Sequence, residues 1–130
     1  IMIQPLDLGS IVRFHNKTGI YLGEITDVRE EHYVVRVLAV EKHPMQGDLH
    51  HPKLVDVPFF HERKALAYRE QTNVRKNMTK PYEGEIPDYH ESLKAAFQKM
   101  KSELLEENSD FARKSLKCLE NLERDYYRFS

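Results

Sequence analysis

The chain has 130 residues, 40% of them hydrophobic and 32% charged, with a net charge of -1. That is the size of one ordinary domain around a modest core, and the balanced charge argues against the strong basic excess of a dedicated nucleic-acid or anionic-membrane binder. A single cysteine, Cys118, excludes an internal disulfide framework and a cysteine-based zinc cluster, and suits a reducing compartment.

No run approaches the roughly 20 apolar residues of a membrane span. The first ten residues, IMIQPLDLGS, lack the basic start and long apolar run of a signal peptide. The chain starts on Ile rather than Met, which leaves room for native residues upstream.

Character changes near residue 83, with short strand-like, turn-punctuated segments before it and two helical periods after it. Residues 11–14 read as a first strand. The turn Asn16-Lys17-Thr18-Gly19 is expected to place positive φ at the glycine. Residues 20–28 form a second strand, with Gly23 as a bulge or kink. Residues 33–40 (YVVRVLAV) are β-branched and nearly continuous, which predicts a central strand. Residues 53–57 alternate again and are stopped or set at an edge by Pro58. Residues 59–82 fit both a period of two and a helical turn. A turn at 61–64 followed by a closing strand is the favoured reading. Short strands at this spacing predict a small barrel.

Residues 88–106 predict a helix capped by Asp88, with Glu91 three positions on. Tyr89, Leu93, Ala96, Phe97, Met100 and Leu104 share one face. A second helix, residues 110–127, starts at Ser109 or Asp110 and lines Ala112, Leu116, Leu119, Leu122 and Tyr126 along its apolar face. The connection of about three residues predicts an antiparallel hairpin. The expected class is thus α+β: a small β-barrel over 1–82, then a helical hairpin over 83–130 packed on the barrel or on a partner.

HPMQGDLHH, at residues 43–51, is the densest chemical stretch. His43, His50, His51 and His61, with Asp48 or Glu62, are the residue types that hold zinc or nickel. No recognised metal spacing accompanies them. The favoured reading is a structured loop, stiffened by Pro44 and turned at Gly47-Asp48, with Asp48 bonding nearby backbone amides. No nucleophile elbow, acid–base pair or glycine-rich phosphate loop stands out. Cys118, mid-helix beside an apolar stripe, reads as an inert thiol. No metal, cofactor or catalytic residue is therefore assigned.

The basic segment at 59–81 holds six Lys or Arg against two acids. Its run PFFHERKALAYR offers aromatics and cations to a nucleic acid, as small barrels sometimes do. The favoured reading closes the barrel with Phe59 and Phe60 and pairs Arg63, Lys64 and Arg69 with acids.

The runs KTGIYLGEI, YVVRVLAVEKHPMQGDLHHPK, VPFFHERKALAYREQTN and YEGEIPDYHESLKAA occur in that order within about residues 9–127. Together they resemble the kinase-associated protein B family of spore-forming Bacillus-type bacteria. The resemblance implies an SH3-like barrel followed by helices. It also implies a non-enzymatic accessory role in sporulation, supporting a membrane sensor histidine kinase that feeds a phosphorelay. No catalytic residues are carried over.

The boxes HP-x-QGDLH and PFFHER mark His43, Gln46, Asp48, His50, Phe60, His61, Glu62 and Arg63 as the candidate partner-binding surface. The kinase is the expected partner. A homodimer is a candidate assembly, because apolar helix stripes must be covered. The family is sometimes named a lipoprotein, yet no apolar leader precedes a cysteine here. The expectation is a cytoplasmic protein that meets the inner face of the membrane through its partner.

Overall fold

The computed structural model describes residues 6–127. Five strands, β1 (Ile11–Asn16), β2 (Gly19–Val28), β3 (His32–Lys42), β4 (Gln71–Arg75) and β5 (Thr79–Pro81), precede two helices, α1 (Tyr89–Glu107) and α2 (Asp110–Tyr126). The strands form one sheet in the order β4-β3-β2-β1-β5, with every pair antiparallel. The α+β class is as read from the sequence.

The sheet does not close into the expected barrel: β4 and β5 are its two edges. Residues 53–57, expected as a strand, form turns, and residues 61–67 run without strand pairing. Only the last part of the expected closing strand enters the ladder, as β4. β3 is an interior strand, but β2 holds the middle of the order.

The β1–β2 hairpin closes on the pair Asn16↔Gly19. Lys17 and Thr18 sit at φ 46° and 77°. Of the two-residue hairpin loops that match strand twist, the type I′ loop has positive φ at both central positions. The left-handed residues are therefore Lys17 and Thr18, and Gly19 begins β2. Gly23 is a true close approach: a Cβ there would lie 2.5 Å from Val35 Cγ1 and 2.6 Å from the Arg36 carbonyl oxygen. The β2–β3 register shifts between Leu22 and Gly23, as the bulge reading anticipated.

Alternation buries Val12, Phe14, Tyr21, Ile25, Tyr33, Val35, Val37 and Val74 on one face of the sheet, and this cluster continues into Tyr89, Leu93 and Ala96 of α1. The buried Ser92 hydroxyl docks the helix on the sheet: it accepts from Val40 N at 3.0 Å and donates to Tyr89 O at 2.7 Å.

Asp88 caps α1 by accepting from Glu91 N, and Ser109 caps α2 by accepting from Ala112 N. Asn108, at φ 49°, ends α1 in the left-handed conformation that closes helices. The return is antiparallel, with Lys101 of α1 ion-paired to Glu123 of α2 at 3.9 Å. A second cluster, Phe97, Leu104, Phe111, Ala112, Leu119 and Leu122, fills the helix pair and takes in Met45, Val55 and Phe60 from the long β3–β4 connection.

Candidate functional site

The β3–β4 connection passes between the sheet and α2, and side chains there take the place of a ladder. Buried backbone polar groups must find partners. Gln46 supplies two for Arg63: its Oε1 accepts from Arg63 N at 2.6 Å, and its Nε2 donates to Arg63 O at 2.9 Å. Gly47 N donates to His61 O at 2.9 Å.

Three tyrosine hydroxyls serve Ala65 and Leu66. Ala65 N donates to Tyr126, Leu66 N donates to Tyr21, and Tyr89 donates to Leu66 O. This bears on the mixed periodicity of residues 59–82: Arg63, Ala65 and Leu66 bond to side chains, and only from Arg69 N and Glu70 O does the backbone pair with β3, at Val37.

The HPMQGDLHH loop is thereby folded back on the PFFHER segment. Arg63 reinforces the joint, its Nη1 donating to the carbonyls of Met45 at 2.9 Å and Gly47 at 3.0 Å. Gly47 adopts φ +102° against the Phe60 ring, a backbone conformation that favours glycine. Asp48 accepts from His50 N at 2.9 Å and faces His51 Nδ1 at 3.2 Å. The His50 amide first, and then the His51 side chain, holds its carboxyl below the usual carboxylate range.

α2 carries a second face toward this connection. Phe111 meets Phe60 edge-on at 5.9 Å, and Lys114 Nζ lies 5.0 Å above the Phe60 ring. Asn121 Nδ2 donates to Glu62 at 3.2 Å, and Asp125 pairs with Lys64. Cys118, half-buried, lies on the same face, and burial followed by the charge of Glu62 pushes its thiol up.

His43 lies beneath the surface. Its Nδ1 is 3.0 Å from Pro44 O and its Nε2 is 2.7 Å from Tyr126 Oη. A carbonyl can only accept, so Nδ1 carries the hydrogen and Nε2 accepts from the tyrosine hydroxyl. Burial pushes this histidine down to about 4.

Five of the eight candidate residues, Asp48, His50, His61, Glu62 and Arg63, line one open cleft of about 560 Å³. Asn16 and Lys17 at the β1–β2 tip also line it, with Tyr21, Pro44, Leu49, Lys64 and Leu66. His43 and Gln46 are buried, so they build the surface without reaching it. Phe60 is half-buried toward α2.

The aromatic and basic residues also differ from expectation. Phe59 does not close the core: it is 70% exposed and stacks on His61 at 5.9 Å. Arg63 binds carbonyls instead of an acid, while Lys64 does pair with one. Among the described residues, no three His, Cys, Asp or Glu side chains come together as a metal would require.

The contribution of the β1–β2 tip could not be read from the sequence. Thr18 Oγ1 accepts from Met45 N at 2.8 Å, and this contact brings Lys17 to the cleft across 27 positions of sequence.

The fold and the cleft define a small α+β protein in which a two-box loop joint, supported by α2, lines one open cleft. Residues 16–127 match the family described as kinase associated protein B. The chain is 58% identical over 125 residues to kinase-associated lipoprotein B of Bacillus subtilis (strain 168), covering 96% of this chain and 98% of that one. It also matches the crystal structure of kinase-associated protein B from Bacillus cereus, with a TM-score of 0.80 and 46% identity, over 94% of this chain and 98% of that one. The chain belongs to the kinase-associated protein B family.

Proposed function

We propose that this protein is a non-enzymatic accessory factor that binds a sporulation sensor histidine kinase and supports its output into a phosphorelay. The observation that carries the reading is the joint between residues 43–50 and 58–63. Two boxes separated in sequence are fastened by the Gln46–Arg63 bonds into one rigid surface. A surface held in place before contact loses little freedom on binding. It would act by favouring one conformation of the kinase over another.

Contact with the membrane would run through the kinase. The Bacillus subtilis relative is named a lipoprotein; in this chain, among the described residues, no helix is long and apolar enough to cross a membrane.

Titration of the kinase's cytoplasmic portion into the full chain tests the reading. Saturable binding at or below tens of micromolar is expected, weakened by the double substitution of the exposed His50 and His61 to alanine. Absence of saturable binding by the unsubstituted chain would refute direct contact.

A further inference from the structure

The charges around the cleft are unevenly satisfied. Its two acids already have partners: Asp48 has the His50 amide and His51, and Glu62 has Asn121. Lys64 is paired with Asp125. Lys17 and Arg63 also line the cleft, and among the described residues neither meets a carboxylate.

The Arg63 side chain and the turn that carries Lys17 are held in place. Lys17 sits on a two-residue turn whose Thr18 is bonded to Met45. Arg63 is half-buried and anchored through Nη1 to two loop carbonyls, so the rest of its planar fork is preorganised. Such a fork suits the two oxygens of a carboxylate.

Resting on the kinase-accessory reading, we propose that the cleft takes a carboxylate side chain from an acidic segment of the protein partner, gripped by Arg63 and Lys17. The hairpin tip, the Asp48–His50 loop and His61 line the same cleft.

The test uses the full chain and three probes at constant ionic strength: an end-blocked hexaglutamate, an end-blocked hexalysine, and inorganic phosphate. NMR reports on the Lys17 amide and Arg63 Nε signals. Hexaglutamate is expected to shift both saturably and hexalysine neither, with Lys17→Glu weakening binding about tenfold through like-charge repulsion. Lys17 is exposed on a turn, so this variant keeps the fold.

No saturable shift, shifts confined to another surface, or unchanged affinity in Lys17→Glu would overturn the proposal. Saturation by phosphate with none by hexaglutamate would also overturn it, assigning the cleft to a phosphoryl oxyanion instead.

The kinase titration separates this inference from the reading beneath it. Equal kinase affinity for the wild-type and Lys17→Glu chains refutes the inference and leaves the accessory role standing. Hexaglutamate binding without kinase binding refutes the accessory role and leaves the anion site standing.

Discussion

Replacing His43 by leucine removes a buried proton-binding group whose contribution to stability depends on pH. In the folded chain the ring is neutral, held by Pro44 O on one side and the Tyr126 hydroxyl on the other. The rings of Phe97 and Tyr126 pack against it at 5.7 and 5.8 Å. A second proton on Nε2 would face a hydroxyl already accepting from Ala65 N, and would strand the hydroxyl hydrogen.

The folded ring therefore resists protonation down to about 4, from an ordinary 6.5, while the unfolded chain takes the proton below 6.5. The unfolded state binds more protons in this window. The stability due to the neutral ring is complete above pH 6.5, falls as pH drops toward 4, and levels off below it. At about 1.4 kcal/mol per pH unit, the window carries roughly 3 kcal/mol. Urea unfolding of wild type and His43→Leu, measured side by side from pH 7.5 to 4, isolates the term by difference. At pH 7 the variant is expected to lose about 1–3 kcal/mol, because the Tyr126 hydroxyl loses its acceptor. That gap should shrink or reverse toward pH 4. Parallel curves at all pH values would refute the buried neutral histidine.

Gly23→Ala forces a Cβ into Val35 and the Arg36 carbonyl. Denaturation should show a loss of about 1–3 kcal/mol or more. Ser115 is buried, and among the described residues its Oγ has no hydrogen-bond partner, so Ser115→Ala should be neutral or stabilising by up to about 1 kcal/mol in thermal or chemical melts. Gln46→Ala strands the Arg63 amide and carbonyl. It should cost about 2–3 kcal/mol, and faster reaction of Cys118 with a thiol reagent should report the loosening of the connection over α2.

Local patterns determined much of this protein. Caps and apolar spacing placed both helices within a residue or so, because Asp88 and Ser109 act on amides three positions away. Short β-branched, turn-bounded runs placed β1 to β3, whereas the alternation at 53–57 did not mark a strand. The Asp48 turn was legible because its carboxylate bonds the amide two residues on. The family boxes were legible as residues, though not as a joint.

Tertiary structure decided the rest. Arg63, Ala65 and Leu66 satisfy their backbone through Gln46, Tyr21, Tyr89 and Tyr126, which come from four different elements or loops, so no local window could separate strand from coil there. The sheet is open, with β4 and β5 as its edges, and residues 53–57 turn and bend instead of adding a strand. Phe111 and Ser115 of α2 are buried outside the predicted stripe because α2 packs on the long connection as well as on α1. The cleft joins the hairpin tip, whose Thr18 meets Met45, to Arg63 and the rest of the β3–β4 connection. A contact between residues so far apart in the chain leaves no periodic trace in the sequence.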